Sequence, residues 1–133
     1  MKLDFSSLEK ALTSLKKGFS RAEADHHDEE LRDACIQRFE YTFELSWKML
    51  KRQIELEVGS TPEVDTYSKR GLFRVAGERG LITNVESWFD YLEKRNLTTH
   101  TYDISNAKEV YSVIGNFIKD ADALLKELIS RRD

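Results

Sequence analysis

Apolar residues recur along this chain at steps of three and four, the spacing that gathers side chains on one face of a helix. From Ser6 to Ala24 the stripe is Phe5, Leu8, Leu12, Leu15, Phe19 and Ala22, and Ser6 with Glu9 predicts a capping box at its start. A second helix is expected from Asp28 to Val58, where Gly59 and then Pro62 stop it. Its apolar set (Leu31, Cys35, Ile36, Phe39, Phe43, Leu45, Trp47, Met49, Leu50, Ile54) covers more than one face, as befits a central helix. Residues 59–67, GSTPEVDTY, read as a connection. A short helix is expected from Ser68 to Glu78, ended by Gly80, and another from Asn84 with Val85, Trp88, Phe89 and Leu92 as its buried side. The last, from Ser105 to Arg131, carries Val110, Ile114, Phe117, Ala121, Leu124 and Leu128 on one face. No strand alternation, internal repeat or low-complexity tract interrupts this pattern. The expectation is an all-α fold: one domain over residues 1–133, a compact antiparallel bundle of four to five helices.

Composition agrees with that reading and narrows the function. The chain has 133 residues, 40% hydrophobic and 34% charged, with one proline and six glycines. That length suffices for a core without disulfides or a structural metal. The formal charge of −3 supplies no general cationic field, so any nucleic-acid contact must be local. One cysteine, Cys35, excludes an intrachain disulfide and sits where a small hydrophobe belongs. The N-terminus lacks the apolar core of a signal peptide, and no run approaches the roughly 20 apolar residues of a membrane span. A cytoplasmic protein, away from the membrane, is expected.

Candidate chemistry concentrates in RNLTTHTY, residues 95–102. On an unbroken helix Arg95 and His100 would point about 140° apart. The β-branched Thr98, Thr99 and Thr101 weaken the helix, and Asp103 and Ser105 offer caps for the next one, so a helix ending near Thr99 lets both side chains face one cleft. An arginine fork can hold a phosphate bidentately, and a histidine can move the proton of a 2′-hydroxyl. The pair by itself is equally consistent with a surface arginine and a helix-terminal histidine.

Three further charged groups bear on function. Lys69, Arg70, Arg74 and Arg79 stand against Glu78 alone in residues 69–79, a local net of +3. Arg70 and Arg74, one turn apart, could line a phosphate track, meet an acidic partner, or form a solvated face. HHDEE (26–30) lacks the i, i+4 spacing of helical metal ligands and is explained by the helix dipole, so no metal is expected. Glu40, Glu44 and Lys48 form a row that reads first as an internal ion-pair ladder and second as a border that orients Arg95. Trp47, Trp88 and Phe89 read as core aromatics.

RFEYTFELSWKMLK (38–51), RGLFRVAGERGLI (70–82) and WFDYLEKRNLTTHTYD (88–103), in this order, resemble the nucleotidyltransferase substrate-binding protein family of the HEPN superfamily over roughly residues 31–130. The resemblance implies a helical bundle that forms a homodimer, with two R-x4-6-H motifs in a shared cleft. In HepT-like toxins the fuller form, R-x4-H-x-Y, is a metal-independent ribonuclease site, and it is intact here. It implies that Arg95 binds the scissile phosphate, His100 transfers protons, Asn96 helps position the phosphate and Tyr102 is a regulatory acceptor. The implied partner is a minimal nucleotidyltransferase (MNT) antitoxin that adds AMP to Tyr102, placing bulk and negative charge at an anion site. No cofactor is implied. The chain has no Gly-Ser pair followed by spaced aspartates of its own for transfer chemistry. Two functions follow: an endoribonuclease toxin acting on RNA, or a noncatalytic subunit that presents a substrate to the nucleotidyltransferase.

Overall fold

A computed structural model describes residues 3–132. They form α1 (Ser6–Ala24), α2 (Glu29–Val58), α3 (Thr61–Asp65), α4 (Lys69–Glu78), α5 (Val85–Leu97), a 3₁₀ turn (Thr98–His100), α6 (Ile104–Ser112) and α7 (Ile114–Ser130). Among the described residues there is no strand. The central helix is α2: it touches α1, each of α3 to α7, and the 3₁₀ turn. Its start is fixed by Asp28, whose side chain accepts from the N–H groups of Glu30 and Leu31 at 3.0 and 3.1 Å. Its end is fixed by Gly59, which takes the left-handed conformation (φ 77°) while its N–H closes on the Glu55 carbonyl.

Three boundaries differ from the sequence reading. The Ser6–Glu9 capping box does not form. Phe5 occupies the cap position of α1 without a side-chain bond, and the Ser6 N–H goes instead to Asp4 Oδ1 at 2.9 Å. The 59–67 connection contains one helical turn, α3, capped by Ser60 and started by Pro62, which gives up no needed N–H there. The last helix is broken at Val113. Ser112 Oγ donates to the Glu109 carbonyl at 2.6 Å, the acceptor that the Val113 N–H would use in an unbroken ladder, and Val113 bonds to Val110 instead.

The core is built around aromatic rings. Phe117 of α7 meets Phe39 at 4.9 Å, Tyr91 at 5.2 Å and Trp88 at 5.8 Å between ring centroids, each edge to face. Phe43 and Phe73 complete the cluster, and all six rings are buried. Gly77 is needed where α4 meets α5, because a Cβ there would collide with the Val85 side chain. Cys35 is fully buried, and that burial pushes its thiol up to about 12, which keeps it a packing group. The few buried polar side chains are satisfied, Thr42 and Ser46 by carbonyls one turn back on α2.

Candidate functional site

The helix that carries Arg95 stops at Leu97, and threonine hydroxyls are what end it. Thr98 Oγ1 donates to the Arg95 carbonyl at 2.7 Å, and the chain tightens into the 3₁₀ turn through His100. The Asp103 carboxylate then caps α6 through the Ser105 N–H, while Asn106 Nδ2 donates to the His100 carbonyl at 3.1 Å. The motif therefore spans a turn pinned at both ends, as the threonine-rich stretch predicts.

Arg95 points back onto α2. Its Nε donates to Glu44 Oε1 at 2.5 Å, and its Nη2 lies 3.9 Å from Glu40 Oε1. Trp47 Nε1 donates to the other Glu44 oxygen at 3.0 Å. Burial acts to raise the Glu44 pKa, but the hydrogen bonds from Trp47 and Arg95 and the nearby Lys69 charge outweigh it and hold the carboxyl below its ordinary value. Glu44 is thus a fixed anion that orients the guanidinium through its Nε edge. Of the two readings of the Glu40–Glu44–Lys48 row, the ladder gives way to the one that orients Arg95: both carboxylates face Arg95, and Lys48 makes no ion pair among the described residues.

His100 and Tyr102 stand against each other. Their ring centroids are 6.0 Å apart at 79°, edge to face, and both residues are exposed, Tyr102 to 86%. No hydrogen bond joins Arg95 to His100 among the described residues. Asn96, also exposed, turns to another side of α5, into a shallow groove shared with Glu93, Lys94, Leu97 and Glu109.

The basic segment is divided rather than gathered. Arg70 pairs with Glu93 at 3.2 Å, and both Arg70 and Arg74 lie over the Phe89 ring, at 4.8 and 5.3 Å. Lys69 lies 4.8 Å above the Trp47 ring, and Arg79 binds Glu57. Arg70 and Arg74 keep an exposed position against the same ring. In the HHDEE segment Asp28 serves as the α2 cap, and His26 lies 3.7 Å from Glu23.

Trp88 and Phe89 are buried, as expected, but Trp47 is half-buried and belongs to the site through Glu44. Its spacing alone had assigned it to the core. The available signal was its position three residues after Glu44, the helical spacing at which an indole N–H reaches a carboxylate.

The sequence matches the family described as "Nucleotidyltransferase substrate binding protein like" over residues 3–130. It is 38% identical over 97 residues to a Haemophilus influenzae protein named "Probable ribonuclease HepT", a match that covers 73% of this chain and 66% of that protein, just under two thirds of its length. Its fold matches a Haemophilus influenzae structure described as the fold of a substrate binding domain of a nucleotidyltransferase, with a TM-score of 0.88, 31% identity, and 95% and 99% of the two chains covered. A Thermus thermophilus crystal structure matches with a TM-score of 0.77, 31% identity, and 91% and 98% covered. The helical fold and these matches agree, and the chain belongs to the nucleotidyltransferase substrate binding protein-like family.

Proposed function

We propose that this protein is a HEPN-type endoribonuclease toxin of the cytoplasm, active as a homodimer and silenced when a partner nucleotidyltransferase adds AMP to Tyr102. The observation that carries this reading is the turn at residues 98–102, which leaves His100 and the Tyr102 hydroxyl in solvent side by side while Arg95 is oriented from behind by Glu44. The likeness to a protein named as a ribonuclease supports it.

In this mechanism the terminal nitrogens of Arg95 receive the scissile phosphate, since its Nε is committed to Glu44. His100 takes the proton of the adjacent 2′-hydroxyl; the 2′-oxygen attacks phosphorus and the 5′-oxygen leaves with a proton. The products are a 2′,3′-cyclic phosphate and a 5′-hydroxyl. His100 of the second copy is suited to be the acid, which gives the homodimer a chemical purpose. Asn96 extends the phosphate contact, and Arg70 and Arg74 serve as a more distant track for the strand. Adenylate on Tyr102 adds phosphate charge to the ring that packs against His100 and so repels the RNA backbone.

A second reading is favoured by a specific observation. The Arg95 guanidinium already faces two carboxylates, an arrangement that weakens phosphate binding and suits a noncatalytic subunit that presents a substrate to the nucleotidyltransferase. Cleavage of a mixed tRNA pool by the purified protein in excess EDTA decides between them. Cutting that survives chelation and vanishes in His100→Ala supports the nuclease. No cutting by protein whose intact mass carries no AMP supports the binding subunit.

A further inference from the structure

One turn of α2 beyond Glu40 and Glu44, the Trp47 ring opens into a cleft of about 130 Å³. Its other walls include Lys51, Tyr67, Lys69 and Leu72, so two aromatic side chains and two ammonium groups share one small opening. Most of the polar groups are already assigned. The indole N–H is bound to Glu44, Lys51 Nζ to Asp65 at 2.7 Å, and the Ser68 hydroxyl accepts the Gly71 N–H as the cap of α4.

Lys69 is the charged exception. Its ammonium lies over the Trp47 ring at 4.8 Å, makes no ion pair among the described residues, and is near enough to Glu44 to lower its pKa. The cleft has room for about four waters' share of liquid volume, enough for one planar ring. It is tied to Arg95 through one carboxylate: the indole and the guanidinium bind opposite oxygens of Glu44, at 3.0 and 2.5 Å.

We infer that this cleft is a nucleotide subsite for the RNA strand, with a base stacked on Trp47 beside the phosphate held by Arg95. The inference rests on the nucleic-acid reading of the Arg95 site given above. The base takes the place of the Lys69 ammonium over the indole, and Lys69 turns outward to the phosphate of the same nucleotide. A single strand fits this chemistry because a stacking face accepts any base and a cation beside it tracks the backbone. A duplex does not, because its bases are already stacked.

The test uses the full chain carrying His100→Ala, so that no strand is cut, titrated with a short single-stranded oligoribonucleotide. Strand binding is followed by anisotropy and the site by tryptophan fluorescence. Trp88 is 1% exposed, so quenching reports on Trp47. The expected result is saturable quenching that tracks the anisotropy, is absent in Trp47→Phe, and shifts to roughly 10-fold higher strand concentration in Lys69→Glu.

Strand binding without quenching overturns the subsite, as does Lys69→Glu with unchanged affinity. AMP that quenches at the same concentration as the strand also overturns it, in favour of a free-nucleotide site. Failure of the nuclease reading looks different: wild-type protein that shows quenching but leaves RNA intact keeps the subsite and loses the enzyme. Cleavage with no quenching does the reverse.

Discussion

Glu44 joins two side chains that sequence spacing alone would not connect, because Arg95 lies 51 positions away and Trp47 one turn along the same helix. A guanidinium bound by its Nε edge has lost most of its rotational freedom before any phosphate arrives. If the protein is the nuclease proposed above, Glu44→Ala is expected to lower the single-turnover rate of RNA cleavage by about 10- to 100-fold, the cost of a misplaced binding group. Glu44→Gln keeps an acceptor for Nε and should lose much less, so the ratio of the two variants separates orientation from charge. The same residue bears on what could be read in advance. His100 and Tyr102, two positions apart, meet in the turn that the threonine-rich stretch suggests, whereas Arg95 turns onto α2. The Trp47 contribution was harder to read, because in an apolar helical stripe only the place of the indole three residues after Glu44 tells a carboxylate partner from a core one.

At the level of elements, the caps decide where helices start, and hydrogen bonds rather than residue preference decide which caps form. Asp28 binds two backbone N–H groups at the start of α2, while Ser6, an equally good cap by type, binds none at the start of α1. Asp28→Ala should cost about 1 kcal/mol in urea unfolding, and Ser6→Ala close to nothing. The break between α6 and α7 has the same kind of origin. The apolar stripe runs through Val113 without interruption, so periodicity predicts one helix. A single serine hydroxyl on the Glu109 carbonyl is a contact to which periodicity is blind. The turn after α5 was foreseeable for the opposite reason: three threonines and a capping aspartate within six residues all weaken the same ladder.

Across the whole molecule, the aromatic cluster and a ring of ion pairs hold the helices on α2. Phe117 touches four other rings, and Phe117→Ala is expected to destabilise the fold by about 3–5 kcal/mol, measured by chemical denaturation. Glu57 near the end of α2 accepts from Gln53, Arg79 and Arg131, and Arg131 also binds the Arg79 carbonyl at 2.7 Å, so α2, α4 and α7 close at one point. Burial works to raise the Glu57 pKa, but those three donors hold it below its ordinary value, as Glu44 is held. A carboxyl whose pKa is depressed on folding stabilises the fold above its unfolded pKa, about 4.3, and that contribution is lost as pH falls through the folded value. The urea midpoint should fall as pH drops below about 4.3, and Glu57→Gln should flatten part of that fall while lowering stability at neutral pH. Periodicity by itself determined that the chain is helical, that α2 is central and which faces are buried, because a 3.6-residue repeat records burial directly in sequence. The three threonines and the capping Asp103 also told where α5 ends, because those causes are local. Only the tertiary structure decided that Glu44 is the seat of Arg95, that Trp47 borders an open cleft and that the four basic residues of 69–79 part company. Each of these depends on which distant side chain occupies the far end of a contact, and charge or spacing along one helix does not contain that information.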